Sequence, residues 1–221
     1  MKKMFAIILC IVLAAAGSVV LASCGKQETN DNPTDVIDGG WAKAENPEIT
    51  DEIKELFKKA TEGMTGLSYT PVVYVASQIV AGTNHCILCK TAAVVPNPEP
   101  KYSLVYIYED LNGGAEITNV VDTGVDANYP EGLSGGWSET QSIEMTDDAT
   151  AALNKATQTL TGAEYSPIAL LATQVVAGTN YRIFCEAKAT VPNAEPYYVI
   201  ITVYADLDGN AEITDTAEIN A

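Results

Sequence analysis

The sequence predicts an α+β protein built from two similar tandem units, each with one α-helix wrapped by a four- or five-stranded antiparallel β-sheet. Three observations support this prediction. The chain repeats itself after 96 residues without an insertion, each copy begins with an amphipathic helical pattern, and strand-like runs separated by turn residues follow that helix. A meander of strands that follows a single helix is expected to bury one face against it.

Composition limits the class of protein and of partner. The 221 residues are 47% hydrophobic and 19% charged, which is typical of a folded globular protein with one or two domains. Acidic residues outnumber basic residues 29 to 12, and the formal net charge is −17. So acidic a surface argues against a nucleic-acid partner and against electrostatic docking on anionic lipid.

The N-terminus has the pattern of a secretory signal. Lys2 and Lys3 precede an apolar run at residues 4–16, and small residues then lead to a Leu-Ala-Ser-Cys sequence that ends at Cys24. That sequence resembles the bacterial lipobox, in which the cysteine becomes the lipidated first residue of the mature chain. The alternative is a short membrane anchor followed by an incidental cysteine, but the apolar run is shorter than the ~20 residues that a span needs.

This pattern predicts a bacterial lipoprotein that is exported and lipid-anchored. Residues 1–23 are expected to be a signal peptide and Cys24 the lipidated residue. Residues 24–38 are polar and predicted to be a flexible tether. The body is then held on the extracytoplasmic side of the cell membrane through the lipid alone.

Residues 39–125 and 135–221 are the two copies of the repeat. Pairs of identical residues 96 positions apart include Trp41 and Trp137, Thr50 and Thr146, Pro71 and Pro167, and Cys89 and Cys185. Two copies of domain length indicate tandem domains rather than a solenoid. Residues 126–134 are rich in polar residues, proline and glycine, and are predicted to be the linker.

A helix is predicted to open each unit. Thr50 is its expected N-cap, acidic residues follow directly, and Gly63 or Gly66 is expected to end it. Apolar residues at three- and four-residue spacing form one stripe, namely Ile53, Leu56, Phe57, Ala60 and Met64 in the first copy and Ala149, Ala152, Leu153, Ala156 and Leu160 in the second.

Four strands are predicted after the helix, at residues 69–80, 83–95, 102–109 and 115–121, with equivalents 96 positions later. In the second copy Ile183, Cys185 and Ala187 share one face, which is predicted to cover the helix together with the equivalent Cys89. The other face carries charged residues and is predicted to meet solvent; its members are Arg182, Phe184, Glu186 and Lys188.

The turn between the first two of these strands is unusually apolar. It reads Gln-Ile-Val-Ala-Gly-Thr-Asn-His at residues 78–85 and Gln-Val-Val-Ala-Gly-Thr-Asn-Tyr at residues 174–181. Turns normally carry polar residues. Apolar side chains at a hairpin tip cannot reach the core of their own hairpin, so they are either misplaced or meant for a partner.

These residues resemble the cystatin superfamily, which inhibits papain-like cysteine proteases. Residues 174–178 match the family's Gln-x-Val-x-Gly hairpin, and so do residues 78–82. A Gly-Gly pair before each helix, Gly39-Gly40 and Gly135-Gly136, resembles the N-terminal trunk of stefins, the intracellular branch of the family. The resemblance covers both repeats and implies two tandem cystatin-like domains.

The resemblance implies that three segments of each domain together form a protease-binding wedge. The expected contact residues are Gly39, Gly40, Gln78, Ile79, Val80, Ala81, Gly82 and Leu111, and Gly135, Gly136, Gln174, Val175, Val176, Ala177, Gly178 and Leu207. Leu111 and Leu207 stand in a second hairpin where many cystatins carry Pro-Trp. That departure, the lipid anchor and His85 in place of the usual tyrosine differ from the stefin pattern.

The expected function is reversible, cleft-blocking inhibition of papain-like cysteine proteases, which belong either to a host or to the bacterium itself. Such inhibition needs no chemistry from the inhibitor, and Gly178→Trp is expected to weaken it while leaving folding intact. The alternative is a non-inhibitory surface module of the same fold that binds a protein or peptide partner, since folds outlive activities.

Other candidate sites are less well supported. Cys86 and Cys89 beside His85 invite a metal or redox interpretation, but residues three apart in a strand point to opposite faces. Asn112-Gly113 and Asp208-Gly209 are predicted to be two-residue hairpin turns with positive φ at both positions, rather than calcium loops. No catalytic constellation is recognisable, so the sequence predicts no enzyme and no cofactor.

Overall fold

The computed structural model describes residues 39–130 and 134–219. The first repeat contains β1 (Trp41–Lys43), α1 (Asp51–Ala60), β2 (Leu67–Val80), β3 (Gly82–Ala93), β4 (Lys101–Glu109) and β5 (Ala115–Asp126). The second contains β6 (Trp137–Glu139), α2 (Asp147–Thr157), β7 (Ala163–Val176), β8 (Gly178–Ala189), β9 (Tyr197–Ala205) and β10 (Ala211–Ile219). Each repeat forms one five-stranded antiparallel sheet whose strands follow the chain order.

The predicted α+β class is wrong. The protein is mostly β: its helices have 10 and 11 residues and leave it 12% helical. Neither helix is wrapped by its sheet. Four apolar side chains of α1 contact one sheet face, while the rest of α1 is exposed. The reason is length, because a 10-residue helix is about 15 Å long, whereas β2, with 14 residues, extends over about 45 Å.

The helix starts are confirmed and the helix ends are not. Thr50 caps α1 by accepting a hydrogen bond from the Ile53 amide, and Thr146 caps α2 in the same way. α1 ends at Ala60, where the Thr61 hydroxyl donates to the Phe57 carbonyl, so Met64 lies outside the helix and is exposed. The threonine hydroxyl at the end of the helix satisfies a carbonyl of the last turn, so the helix ends before the glycines are reached.

The second hairpin is a five-residue loop and not the predicted two-residue turn. β4 ends at Glu109 and β5 begins at Ala115. The Asp110 carboxylate accepts hydrogen bonds from the amides of Asn112 and Gly114, at 2.7 and 3.0 Å. These side-chain bonds hold the loop open, and Gly113 alone within it has positive φ. Asp206 builds the same loop in the second repeat.

The two sheets pack against each other on the faces opposite to the helices. One apolar cluster draws residues from both repeats, among them Val73, Val75, Leu88 and Leu104 from the first and Ala169, Leu171, Phe184 and Ile200 from the second. The prediction that this face meets solvent is therefore wrong for Phe184, whereas Lys188 at the end of the face is exposed as predicted. Phe184 is fully buried, because the other repeat takes the place of solvent there. Cys89 and Cys185 do face the helices.

Two ion pairs across this interface are the same contact made twice. Lys43 Nζ lies 3.7 Å from Glu186 Oε1, and Lys90 Nζ lies 2.5 Å from Glu139 Oε2. Positions 43 and 139 are equivalent in the repeat, as are positions 90 and 186. The repeats are therefore related by an approximate two-fold axis, and they differ in charge, with lysine in the first repeat and glutamate in the second.

Because of the two-fold relation, the turn-bearing ends of the two sheets point in opposite directions. Lys43 pairs with Ala76, close to the turn at Ala81, whereas Glu186 pairs with Ser166 and lies far from the turn of its own repeat. Each turn-bearing end therefore lies over the far end of the other sheet. The two first turns consequently lie at opposite ends of the paired sheets.

Part of the predicted linker is packed into the interface. β5 continues to Asp126, Ala127 is buried, and its amide donates to the Pro100 carbonyl at 2.8 Å. Tyr129 lies between the repeats. No helix within residues 39–130 and 134–219 is long and apolar enough to span a membrane. The predicted signal peptide, Cys24 and tether lie outside the described residues.

Candidate functional site

Three segments of each repeat meet at one end of its sheet. In the first repeat, Trp41 pairs with Gln78, which places Gly39-Gly40 beside the first turn. Thr83 pairs with Glu109, which places the 110–114 loop on the other side of that turn. The order across the sheet is therefore Gly-Gly segment, first turn and second loop. We call this set of residues, 39–40, 78–82 and 110–114, and its equivalent 135–136, 174–178 and 206–210, the binding edge of each repeat.

The most exposed apolar side chains of each binding edge lie at its tips. Exposure is 57% for Ile79 and 70% for Val175, and 43% for both Val80 and Val176. Leu111 and Leu207 on the second loops are exposed by 82% and 84%. Exposed apolar residues that cluster at one edge of a fold indicate an interaction surface. The prediction that the apolar side chains of the first turn do not reach the core is confirmed for Ile79, Val80, Val175 and Val176.

A glycine fixes the shape of the first turn. Gly178 has φ +126°, and a Cβ on it would lie 2.3 Å from the carbonyl oxygen of Ala205. Gly82 has the same geometry against Glu109. Only glycine accepts both the positive φ and this close approach of another backbone. The expectation that Gly178→Trp leaves folding intact is therefore wrong, because any side chain there forces β8 and β9 apart.

A glutamine joins the Gly-Gly segment to the first turn. Gln174 Nε2 donates to the Gly135 carbonyl at 2.8 Å, and its Oε1 accepts from Asn180 Nδ2 at 2.8 Å. In the first repeat Gln78 makes the same two bonds, to Gly39 and Asn84. The glutamine of the motif thus acts by positioning, since it orients the segment beside the turn rather than presenting its own side chain.

Two further residues of each binding edge hold the glutamine and the first turn in place, and the sequence analysis did not predict them. Asn84 and Asn180 orient the glutamines, and the hydroxyls of Tyr108 and Tyr204 donate to the carbonyls of the turn residues Ala81 and Ala177. Asn84 and Asn180 are identical residues 96 positions apart, as are Tyr108 and Tyr204, so comparing the two repeats could have identified them. Hydrogen bonds to a turn carbonyl reduce the freedom of the turn and preform it.

His85 distinguishes the first edge from the second, where Tyr181 occupies the equivalent position. Its Nδ1 lies 2.9 Å from the Tyr74 hydroxyl, and its Nε2 lies 3.5 Å from the Glu109 carboxylate. Burial lowers the pKa of His85, and the nearby carboxylate opposes this shift. At neutral pH the ring is therefore uncharged and packs beneath the turn as a polar core residue.

The cysteines form no ligand set. Cys86 packs into the cluster between the sheets and Cys89 into the cluster under α1, so the two thiols lie on opposite faces of β3. Burial raises the pKa of Cys86 to about 12. Within the described residues there is no group of three or more histidine, cysteine, aspartate or glutamate side chains that could hold a metal ion.

No protein-family model matches this chain, and no curated protein sequence matches it significantly.

Proposed function

We propose that the protein is a reversible inhibitor of papain-like cysteine proteases, in which each binding edge fills the cleft of one protease. The observation that carries the proposal is the preformed apolar turn: Val175 and Val176 are exposed at a tip whose backbone is fixed by Gly178 and Tyr204. The Gly-Gly segment and Leu207 flank that tip on the same edge. This arrangement supports the wedge that the resemblance to cystatins implies.

The edge is suited to blocking a cleft without being cleaved. Its tip is a one-residue turn, with Val176 paired to Gly178 across it, so the tip presents side chains and no extended peptide bond. The turn is ordered before binding and loses little entropy in the complex. A standard interface of roughly 1,600 Å² is then sufficient for tight binding. Neither a catalytic group nor a cofactor is required of this chain.

The opposed edges favour two proteases per chain. Because the first turns lie at opposite ends of the paired sheets, a protease on one edge does not compete for space with a protease on the other. The Gly-Gly segments are also alike in exposure, since Gly39 and Gly135 are exposed and Gly40 and Gly136 half-buried. We therefore propose that both repeats inhibit, and that the lipid on Cys24 holds them on the outer side of the membrane, towards host or bacterial proteases.

The test is inhibition of papain by residues 25–221 and by turn variants. Val175→Asp with Val176→Asp places two charges at the second tip, and Ile79→Asp with Val80→Asp does so at the first. Buried interface residues cost about 2 kcal/mol or more when disrupted, so each double variant is expected to weaken its own edge at least ~10-fold. Combining all four substitutions is expected to abolish inhibition.

Leu160→Asp with Val191→Asp is the matched control. Leu160 and Val191 are 47% and 61% exposed and lie outside the binding edge, so the same change of charge is expected to leave inhibition unaltered. Unfolding midpoints verify that all variants stay folded. Absence of papain inhibition by the unmodified protein at micromolar concentration would overturn the proposal in favour of a non-inhibitory surface module.

A further inference from the structure

A cavity of about 540 Å³ lies beside the first binding edge, between α1 and the neighbouring ends of β3 and β4. A volume of this size lies within the range of ligand sites. Four carboxylates line it, those of Asp51, Glu52 and Glu55 on α1 and that of Glu109 at the end of β4. Every lining residue lies between positions 51 and 109, inside the described part of the first repeat. We call this space the helix-side cavity.

The negative charge of the helix-side cavity is only partly balanced. Asp51 is paired with Lys54 at 2.8 Å. Within residues 39–130 and 134–219, no lysine or arginine lies within ion-pair distance of the Glu52 or Glu109 carboxylate. Lys59 also lines the cavity, but its Nζ donates to the Gly113 carbonyl at 3.2 Å. Carboxylates that face one enclosed space without a cation attract a positively charged ligand.

His85 lines the buried side of the same cavity and is incompletely bonded. The residue is 9% exposed, and its Nδ1 lies 2.9 Å from the Tyr74 hydroxyl. Its Nε2 is buried and has no hydrogen-bond partner among the described residues, because the Glu109 carboxylate at 3.5 Å is not in hydrogen-bond geometry. An unsatisfied buried nitrogen is costly. The cavity thus holds a polar group without a partner beside a carboxylate without a cation.

The arrangement suits an organic cation better than a metal ion. In the described part of the chain no three histidine, cysteine, aspartate or glutamate side chains are placed to hold a metal ion. The free carboxylates lie on two elements, α1 and β4, and Ile53 and Leu56 add apolar surface to the lining. A planar guanidinium has five N–H donors that can bond two carboxylates at once, and its methylene stem packs on apolar surface.

We propose that the helix-side cavity of the first repeat binds the guanidinium group of an arginine. Glu109 accepts hydrogen bonds from one edge of the guanidinium, and Glu52 accepts from another. With the Tyr74 hydroxyl donating to Nδ1, the neutral ring of His85 carries its hydrogen on Nε2. The Glu109 carboxylate, fixed by the cation, then accepts from that N–H. The buried nitrogen gains its partner when the ligand binds.

The equivalent cavity of the second repeat lacks this set of groups. It is smaller, at about 250 Å³. Ala205 replaces Glu109, and Tyr181 replaces His85. Both the second carboxylate wall and the unsatisfied nitrogen are therefore missing there, so only the first repeat is expected to bind a guanidinium.

The experiment titrates acetylarginine amide into residues 25–221, made without a histidine tag, and follows the imidazole C–H signals by NMR. His85 is the single histidine of the chain, so these signals report on the cavity alone. A small ligand in a partly open site is expected to bind with a Kd of about 0.1–10 mM. Acetylcitrulline amide has the same shape without the charge and is expected to bind at least ~10-fold more weakly.

Substitutions in the protein test the location. Glu52→Gln and Glu109→Gln each remove one carboxylate and are expected to weaken binding at least ~5-fold. Because Glu109→Gln also changes the surroundings of His85, the line widths of the ligand signals measure the Kd independently. Glu62→Gln is the matched control, since Glu62 is exposed and outside the lining, and is expected to leave the Kd unchanged. Unfolding midpoints verify that the variants stay folded.

Three results overturn the proposal. The first is the absence of any shift of the His85 signals at about 50 mM acetylarginine amide. The second is equal binding of acetylcitrulline amide, which would mean that charge plays no part. The third is a loss of affinity in Glu62→Gln as large as in Glu52→Gln and Glu109→Gln, which would reflect the net charge of the protein and not a site.

A further measurement identifies the source of the arginine. The Glu109 carbonyl lies against Gly82, so a protein bound at the first edge lies next to the helix-side cavity. Papain on the Val175→Asp, Val176→Asp variant competes with acetylarginine amide if the arginine belongs to the edge-bound protein. Independent binding assigns the guanidinium to a free ligand, and the site stands in both cases. This measurement alone rests on the proposed inhibition, so a failure of papain to bind does not alter the NMR result.

Discussion

The interface between the repeats has two ends that its approximate two-fold axis exchanges. At the closed end Tyr129 packs between Tyr102 and Arg182, and at the open end the equivalent residues Tyr198 and Cys86 line a cavity of about 640 Å³. The two ends have the same framework and different contents. At the closed end Arg182 lies over the Trp137 ring, with 4.2 Å from its guanidinium carbon to the ring centre, and Tyr129 covers both this arginine and Tyr102. At the open end Tyr106 replaces the arginine against the equivalent Trp41, with ring centres 5.6 Å apart. The comparison shows that two repeats with the same strand order can pack back to back and still differ at the two ends of their interface through a few side chains.

The largest expected loss of stability comes from a substitution at the closed end. Tyr129→Ala removes a ring that contacts Tyr102, Lys90 and Arg182, and leaves a second cavity like the open one. Loss of a largely buried aromatic side chain is expected to lower the free energy of unfolding by about 2–3 kcal/mol. Urea denaturation measures this. Tyr129→Phe is the matched control and is expected to cost about 1 kcal/mol, because only the hydroxyl is lost.

Reversing one charge at each end sharpens the comparison. Lys90→Glu opposes Glu139, and the Lys90 side chain is only 15% exposed, so a loss of about 1–2 kcal/mol is expected. Lys43→Glu places a carboxylate opposite Glu186. The Lys43 side chain is 45% exposed and its ion pair is longer, at 3.7 Å, so the expected loss in the free energy of unfolding is less than about 1 kcal/mol. The double variants Lys90→Glu with Glu139→Lys and Lys43→Glu with Glu186→Lys restore stability if the pairs form in solution. Failure of both to restore stability would contradict the back-to-back packing.

The last and smallest expected effect near neutral pH concerns the Cys86 thiol at the open end. Cys86 lines the cavity yet is 1% exposed, and burial raises its pKa to about 12 from a usual value near 9. Its protonated state favours folding. That contribution is complete below pH 9 and is lost as pH rises from 9 towards 12. The native protein is expected not to react with Ellman's reagent at pH 8, whereas the unfolded protein reacts. Rapid reaction of native Cys86 would show that the sheets separate.

The sequence predicted the local features that depend on neighbouring residues. The caps at Thr50 and Thr146, the helix-facing side of Cys89, and the exposed tips at Val80 and Val176 all follow from short-range patterns. The helix end did not, because the Thr61 hydroxyl satisfies the last carbonyls before Gly63 is reached. The length of the second loop was not predicted correctly, because hydrogen bonds to the Asp110 carboxylate stabilise a five-residue loop rather than a two-residue turn.

Long-range packing was the main feature that the sequence could not supply. Phe184 stands in a row with Arg182 and Glu186, and alternation alone assigned that row to solvent. In the structure Phe184 is buried by the other repeat, and the charged residues of the row pair across the interface. The exchange of lysines for glutamates at positions 43, 90, 139 and 186 becomes informative only when the two-fold relation is known. The α+β assignment failed for a different reason, since the predicted strands nearly match the observed ones and the two short helices were given too much weight beside ten strands.

The central claim is that each repeat carries one protease-binding edge and that the two edges act independently. The most direct test is the number of molecules of S-carboxymethylated papain, which cannot cleave, that bind one chain in sedimentation-velocity or native mass measurements. We expect two for residues 25–221, and one after Val175→Asp with Val176→Asp. If no complex forms at about 10 μM of each protein, which corresponds to less than ~7 kcal/mol of binding free energy, the claim is contradicted.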